Sequence, residues 1–200
     1  MPGPAEIGIL RAADRTAEPW KNGGGVTREI AAHPPDAGTA DFAWRVSLAE
    51  VDADGPFSRF PGVDRILTLA EGAGMDLTVA GAHRLVDERY APQHFPGDRA
   101  TDCRLLGGPV VNFNVMYRRE RVRARTAVVR GELALAALPE ETLLVVALDG
   151  PATLHLPGAP GAPVELGPYD AALLPELLTC VICTEGRLAV VGMHTIGGLD

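Results

Sequence analysis

The stretch Phe42-Ala43-Trp44-Arg45-Val46-Ser47-Leu48 alternates between apolar and polar side chains. Such alternation is typical of a β-strand, because successive side chains point to opposite faces of a sheet. The large apolar residues therefore share one face, and Arg45 and Ser47 share the other. An ordinary strand leaves its polar face in water, whereas a strand of a ligand-holding barrel can turn that face into its own cavity. Taken alone, the strand favours the solvated arrangement.

The stretch Val111-Asn112-Phe113-Asn114-Val115-Met116-Tyr117 alternates in the same way. Asn112, Asn114 and Met116 share one face, and the residues between them share the other. Asparagine is unfavourable in strands, so two of them at positions i and i+2 need a specific reason. Contact with a ligand is one such reason, and solvation of an outer face is the alternative.

The chain's use of lysine and asparagine marks two short stretches. The one lysine is Lys21, against seventeen arginines, and the three asparagines are Asn22, Asn112 and Asn114. Such a bias is typical of a GC-rich genome, which replaces lysine and asparagine wherever another residue serves. The positions that escape it are candidates for roles that need a compact ammonium or a neutral group that both donates and accepts. Chance placement of so few residues is the alternative.

Turn-forming residues are spread along the whole chain. The 23 glycines and 17 prolines among 200 residues are scattered, which favours many short strands over helices. Arg130–Leu138 is the one stretch that suggests a helix. The predicted strands are Val26–Ala31, Phe42–Ala49, Arg65–Glu71, Met75–Val79, Thr101–Leu106, Val110–Arg118, Val122–Arg130, Leu143–Leu148, Ala152–Leu156, Ala171–Leu174, Thr179–Cys183 and Leu188–His194.

A weak internal repeat predicts two similar halves. Arg65–Gly72 resembles Leu143–Gly150, and the Cys103–Met116 spacing returns as Cys180–Met193. We expect an all-β fold of two small antiparallel barrels, one in residues 1–120 with the candidate pocket and a smaller one in 121–200. Chance similarity between glycine-rich β sequences is the alternative.

The composition favours a soluble cytoplasmic protein. The net charge of −8 argues against a nucleic-acid surface, and we expect no contact with a membrane because no apolar run is long enough to span one. The opening residues lack the apolar core of a signal peptide, and three cysteines are too few for a disulfide framework. Cys180 and Cys183 would point to opposite faces of a strand, so they would not share a metal or a disulfide.

Motifs for common cofactors are absent from the sequence. The triple glycine Gly23–Gly25 follows its lysine and has no Gly-Lys-Ser/Thr, so it does not form a phosphate loop. The five histidines never stand two apart as paired ligands on one strand face. We therefore expect neither a metal nor a cofactor.

The polar strand faces and the loop between them predict a pocket for an anion. Lys21, Arg45 and Arg65 would suit a small carboxylate, because arginine binds both of its oxygens at once. The asparagines would contact neutral amide or formyl groups, and Phe57 and Phe60 lie in a loop that could close over the opening. The competing interpretation is a buried ion-pair network in which Asp64 neutralises an arginine.

Five of these segments, in this order, resemble the HutD/Ves family: Pro19–Ile30, Phe42–Ser47, Gly55–Arg65, Phe95–Asp98 and Asn112–Met116. The resemblance runs from about residue 7 to 193 and implies a bicupin, which has two cupin-like, jelly-roll-type β-barrels and here no catalytic metal. It also implies an association with histidine utilisation or, in the Ves branch, with stress responses. The matching positions are Lys21, Asn22, Thr27, Arg45, Ser47, Asp64, Arg65, Asn114 and Met116. Asn112 departs from the family pattern, in which aspartate is expected.

The sequence therefore predicts a metal-free protein that binds a small carboxylate similar to N-formylglutamate or urocanate and regulates histidine utilisation or a stress response. Its predicted ligand-binding residues are the nine matching positions together with Phe60 and Asn112. A homodimer is one option for its assembly. The alternative function is a metal-independent hydrolase or isomerase acting on a small carboxylate or amide, with Lys21 or Asp64 as its base or nucleophile.

Overall fold

The computed structural model describes residues 7–157 and 162–196 of the chain. These residues form antiparallel β-strands and one short 3-10 helix, Ala12–Asp14. The strands are β1 (Gly8–Leu10), β2 (Ala17–Pro19), β3 (Gly25–His33), β4 (Trp44–Val51), β5 (Gly55–Pro56), β6 (Val63–Glu71), β7 (Met75–Val79), β8 (Ala82–Val86), β9 (Gln93–Pro96), β10 (Thr101–Leu105), β11 (Val110–Arg118), β12 (Val122–Ala136), β13 (Glu141–Asp149), β14 (Ala152–His155), β15 (Val164–Leu166), β16 (Ala171–Leu174) and β17 (Thr179–Thr195).

The described chain divides into two compact units. The N-terminal unit contains residues 15–122 together with 196, and the C-terminal unit contains 7–14, 123–157 and 162–195. No helix among the described residues has the length and apolar character needed to cross a membrane.

Two antiparallel sheets enclose the core of the N-terminal unit. One has six strands in the order β2-β3-β4-β11-β6-β9, and the other has four in the order β5-β10-β7-β8. Leu67 and Leu69 of the larger sheet pack in one cluster with Met75 and Leu77 of the smaller sheet. The face of the larger sheet that carries these leucines therefore points into the unit.

The register of β11 places the polar side chains on this interior face. Met116 lies opposite both Arg45 and Arg65, and Asn114 lies opposite Ser47 and Leu67. Directly paired residues share a face, so these polar groups point the same way as the core leucines. All of them are buried. The solvated arrangement that each strand alone favours is therefore wrong, and the polar face lies in the interior.

A seven-stranded sheet forms the C-terminal unit. Its order is β1-β16-β13-β17-β14-β15, with β12 paired to β17. Its apolar core includes Leu143, Val145, Leu154 and Ile182. β1 joins this sheet through β16, so residues 8–10 belong with strands more than 160 positions later in the chain.

The predicted helix at Arg130–Leu138 is wrong. The stretch continues β12 as far as Ala136, because Leu133 and Leu135 alternate and pack against the core while Ala134 and Ala136 are exposed. The glycines of the internal repeat do occupy equivalent turns. Gly72 follows β6 with φ 96° and Gly150 follows β13 with φ 74°, a backbone region that favours glycine.

Candidate functional site

Arg65 is the central cation of the interior face. It is 8% exposed, and its guanidinium lies 4.9 Å from the ring centroid of Phe57 and 5.2 Å from that of Phe95. Its Nε and Nη2 donate to Asn114 Oδ1 at 3.3 and 3.2 Å. Burial lowers the pKa of Arg65 to about 10, so the guanidinium is still charged at neutral pH.

The charge of Arg65 is not balanced by a carboxylate of the described residues. Its polar contacts within them are the two bonds to the neutral Asn114 oxygen, which leave Nη1 without a partner. Asn114 Nδ2 and Ser47 Oγ, in the neighbouring strand positions, also lack partners within the described part of the chain. Two N–H donors and a hydroxyl are therefore available beside a buried cation, which is what a carboxylate requires.

Arg45, the second arginine of this face, is already neutralised. Its Nε donates to Glu29 Oε2 at 2.5 Å, and its Nη2 lies 3.4 Å from Glu18 Oε2. Met116 lies between Arg45 and Arg65 in the strand register. The interior face thus carries two cations, of which only Arg65 has an uncompensated charge within the described residues.

Asn112 is buried on the same face. It is 1% exposed, and neither its Oδ1 nor its Nδ2 has a hydrogen-bond partner among the described residues. Its strand neighbours are Ala49 on β4 and Leu69 on β6, which offer no polar side-chain group.

The motif around Lys21 forms a tight turn at the edge of this face. Lys21 and Asn22 are exposed, and Asn22 Oδ1 accepts a hydrogen bond from the Gly24 amide at 3.1 Å. Trp20 Nε1 donates to Thr27 Oγ1 at 2.8 Å, and the Trp20 ring meets Phe57 edge-on with 6.2 Å between centroids. The turn therefore holds an indole beside the ring that covers Arg65, while Lys21 and Asn22 stay outside the buried group.

Asp64 is also separate from the buried group. It pairs with Tyr117, so its side chain lies on the opposite face from Arg65, and its Oδ1 accepts from Arg119 Nη2 at 2.8 Å. Arg119 also donates to Asp98 Oδ2 at 2.7 Å. Asp64 thus neutralises Arg119 and neither of the arginines on the interior face.

Phe60 closes one end of the interior face. It is half-buried and packs against the cluster of Phe42, Val63 and Met116, with 6.4 Å between the Phe42 and Phe60 centroids. Phe60 and Met116 therefore supply an apolar wall beside Arg65.

Two surface clefts of the described residues lie away from Arg65 and Asn112. One cleft of about 530 Å³ is lined by Ala40, Pro61 and Arg118 among others, and one of about 380 Å³ by Arg59, Asp98 and Arg99 among others. Neither contains Arg65 or Asn112. Within the described ranges, no three histidine, cysteine, aspartate or glutamate side chains are grouped so that they could bind a metal.

The profile of the HutD family matches residues 12–190. The chain belongs to the HutD family. An uncharacterized 21.2 kDa protein in the hutC 3′ region of Pseudomonas putida is 37% identical over 143 residues, which cover 72% of this chain and 75% of that protein. Protein Ves from Citrobacter koseri is 41% identical over 110 residues, and this match covers 54% of this chain and 56% of Ves.

Solved structures agree with this family. HutD from Pseudomonas fluorescens, in a formate condition, is 34% identical and covers 96% of this chain and 100% of its own, with a TM-score of 0.83. The bacterial pirin YhhW from Escherichia coli, in complex with nickel(II), has a TM-score of 0.68 at 9% identity, covering 96% of this chain and 100% of its own. Distant neighbours of this kind, which include oxalate decarboxylase from Bacillus subtilis, show that the fold is cupin-like.

Sequence reasoning missed the acidic partners of Arg45 and the second ring beside Arg65. Glu29 lies directly opposite Ser47 on β3, so the alternation of β3 carried the signal that it shares the interior face. Phe95 lies opposite Arg65 on β9, a strand of four residues that the sequence pattern did not reveal.

Proposed function

We propose that the N-terminal unit binds a small anionic metabolite, a carboxylate similar to N-formylglutamate or urocanate, and that its occupancy regulates histidine utilisation or a stress response. The observation that carries this proposal is Arg65, a buried guanidinium with no carboxylate partner among the described residues. A buried charge is costly unless it is paired, so a ligand anion would relieve that cost.

Three groups would bind the carboxylate. Arg65 Nη1 and Asn114 Nδ2 would donate to its oxygens, and Ser47 Oγ, on the strand position paired with Asn114, would add a third bond. Met116 and Phe60 would form the apolar wall, and the Phe57 and Trp20 rings would shield the ion pair from water. Low local polarity strengthens such a pair.

The regulatory part of the proposal draws on the relatives. One is named for the hutC 3′ region and another is HutD itself, while the Ves proteins form a second group of relatives. The enzymatic alternative has less support from the geometry, because Lys21 is exposed and Asp64 is bound to Arg119 on the other face.

Calorimetric titration of the purified protein with N-formylglutamate and with urocanate tests the proposal. We expect binding to the wild type and a loss of about 10- to 100-fold in affinity for Arg65→Met, because charge-assisted hydrogen bonds contribute about 1.5–3 kcal/mol each. Arg104→Met is the matched control, since this arginine is exposed and pairs with Asp76 at the surface. Absence of heat and of thermal stabilisation at millimolar concentrations of both ligands would refute the proposal, and turnover of either ligand would favour the enzyme.

A further inference from the structure

The cleft of about 380 Å³ lies in the N-terminal unit and is separate from the interior face. Two arginines, Arg59 and Arg99, line it together with Asp98 and the small side chains of Ala80 and Ala100. Pockets for small molecules have volumes of about 300–1,000 Å³, so this cleft has room for a compact ligand.

The two guanidiniums of the cleft have donors to spare. Arg59 Nε donates to the Asp98 carbonyl oxygen at 3.1 Å, and this bond leaves both terminal nitrogens of Arg59 without a partner among the described residues. The side chain of Arg99 forms no hydrogen bond or ion pair with the part of the chain that the structure describes. Both arginines are exposed. The cleft therefore presents two forked groups of N–H donors to whatever enters it.

The carboxylate of the cleft is already paired with a third arginine. Asp98 Oδ2 accepts from Arg119 Nη1 at 2.7 Å, and this bond, helped by the nearby charge of Arg99, holds the pKa of Asp98 below its usual range. Arg119 also binds Asp64. The three guanidiniums thus stand against two carboxylates, which leaves an excess of positive charge in a chain whose net charge is −8. Such an excess attracts an anion.

Backbone hydrogen bonds hold the walls of the cleft in place. The loop that carries Arg59 is joined to the turn that carries Arg99, because the Phe60 amide donates to the Gly97 carbonyl oxygen at 2.8 Å. The Ala80 amide donates to the Ala100 carbonyl oxygen, also at 2.8 Å. The lining segments are therefore tied to one another, so a ligand needs to order little beyond the two arginine side chains.

We propose that this cleft binds a small phosphomonoester. One guanidinium is enough for the two oxygens of a carboxylate, whereas the three terminal oxygens of a phosphate dianion accept from both forks at once. Ala80 and Ala100 offer apolar contact to the organic group of the ester, which free phosphate lacks. The inference goes beyond the proposed carboxylate site, because neither Arg65 nor Asn114 takes part.

Titration with phenyl phosphate, followed by calorimetry and by amide chemical shifts, tests the inference. We expect the wild type to bind it, with shifts at the amides of Ala80, Arg99 and Ala100. Arg59→Met and Arg99→Met should each weaken binding about 5-fold, as expected for one ion pair at an exposed site. Arg104→Met, which removes an exposed arginine outside the cleft, should bind phenyl phosphate as the wild type does. Absence of both heat and shifts at millimolar concentration would overturn the proposal.

Two further probes test the class of ligand. Inorganic phosphate lacks the organic group and benzoate lacks the third oxygen, so we expect each to shift the same amides only at about 5-fold higher concentration. If inorganic phosphate binds as tightly as phenyl phosphate, the ester is overturned in favour of the free anion. If benzoate does so, the cleft has no preference for phosphate and the proposal fails.

Arg59→Lys and Arg99→Lys are the second pair of variants, since lysine keeps the charge but not the fork, and they should weaken binding less than methionine does. Arg65→Met should leave the affinity for phenyl phosphate unchanged, which separates this cleft from the proposed carboxylate site. Loss of phenyl phosphate binding in Arg65→Met, with unchanged binding in the variants of Arg59 and Arg99, would assign the phosphate to the interior face and overturn the cleft.

Discussion

The two interior arginines differ in what balances their charge, and their removal should therefore differ in its effect. We expect Arg45→Met to lower the free energy of unfolding by about 1–3 kcal/mol, because it breaks the ion pair between a buried guanidinium and Glu29. We expect Arg65→Met to change it by less than about 1 kcal/mol, because the loss of a desolvated charge offsets the lost bonds to Asn114. Urea unfolding of both variants measures these changes.

The exposed Arg104 supplies the baseline for this comparison, since surface substitutions usually change stability by less than about 0.5 kcal/mol. A loss from Arg65→Met as large as that from Arg45→Met would show that Arg65 is part of the scaffold and not an unbalanced charge kept for a ligand.

At the same scale, strand alternation identified Arg45, Ser47 and Asn114 as one face, but not whether that face is buried. That answer depends on the four-stranded sheet that packs over it, which no local pattern encodes. Asp64 was grouped with Arg65 because the two are adjacent in sequence, although adjacent strand residues point to opposite faces. The rarity of lysine marked Lys21 without distinguishing a turn from a pocket.

Among the structural elements, the turn between β2 and β3 explains the triple glycine. A Cβ on Gly25 would lie 2.3 Å from the Glu50 carbonyl oxygen, whereas a Cβ on Gly23 would meet nothing within 4 Å. We expect Gly25→Ala to lower the free energy of unfolding by about 2–4 kcal/mol, because the backbone must move to relieve the clash. Gly23→Ala should cost about 1 kcal/mol, because its φ of 71° is unfavourable for alanine.

Chemical denaturation of the two alanine variants side by side checks this order. Equal losses would mean that the turn can shift away from Glu50, and the position of the Trp20 indole beside Phe57 would then not depend on Gly25.

The elements that the sequence revealed are those whose apolar residues stand out between turn-forming residues. Met75–Val79, Val110–Arg118 and Ala171–Leu174 were predicted with the bounds that the structure has. The strands β1, β2, β5, β8, β9 and β15 were missed, because few of their residues are buried and their sequences therefore show little apolar pattern. Thr179–Cys183 and Leu188–His194 are parts of a single strand, β17, which continues through Gly186.

Asp170 binds Arg11 and Ala12, which follow β1, to the rest of the C-terminal unit. It accepts from the Ala12 amide at 2.7 Å, from Arg11 Nη1 at 2.7 Å and from the Gly167 amide at 3.0 Å. Burial alone would raise the pKa of Asp170, but these bonds outweigh burial and hold the pKa below its usual value. Its contribution to stability is therefore complete above the unfolded-state pKa of about 3.9 and is lost as the pH falls through the lower folded-state pKa.

We expect Asp170→Asn to lower the free energy of unfolding by about 1–2 kcal/mol near pH 7, because the bonds lose their charge. The difference from the wild type should shrink as the pH falls below about 4. Urea unfolding of the wild type and of Asp170→Asn, from neutral pH to below about pH 4, measures this difference in the free energy of unfolding. Asp14→Asn is the control, because Asp14 is an exposed aspartate in the same segment as Arg11 and Ala12. A difference that stays constant with pH would contradict a role for the carboxylate charge.

At the scale of the whole molecule, the order of the chain does not match the membership of the two units. Sequence patterns suggested a simple division into residues 1–120 and 121–200, whereas in the structure residues 7–14 belong with the C-terminal unit. The pairing of Gly8, Ile9 and Leu10 with Leu173, Ala172 and Ala171 establishes this. A contact across that sequence separation leaves no local signal. The sequence of the first fifteen residues therefore could not show that residues 7–14 belong to the C-terminal unit.

This connectivity predicts that a truncated chain beginning at Arg15 is weakened in one unit only. β16 would lose its neighbour β1, and Asp170 would lose two of its three donors, so the C-terminal unit should open more readily. Hydrogen exchange should show faster exchange of the Ala171–Leu174 amides, while β11, enclosed between β4 and β6, keeps the protection of the full chain. The residues proposed to bind the carboxylate lie in the N-terminal unit, so the truncated chain should still bind the ligand, and this binding should still depend on Arg65. Faster exchange in β11, or loss of binding, would show instead that the two units unfold as one cooperative body and that the first strand stabilises the whole molecule.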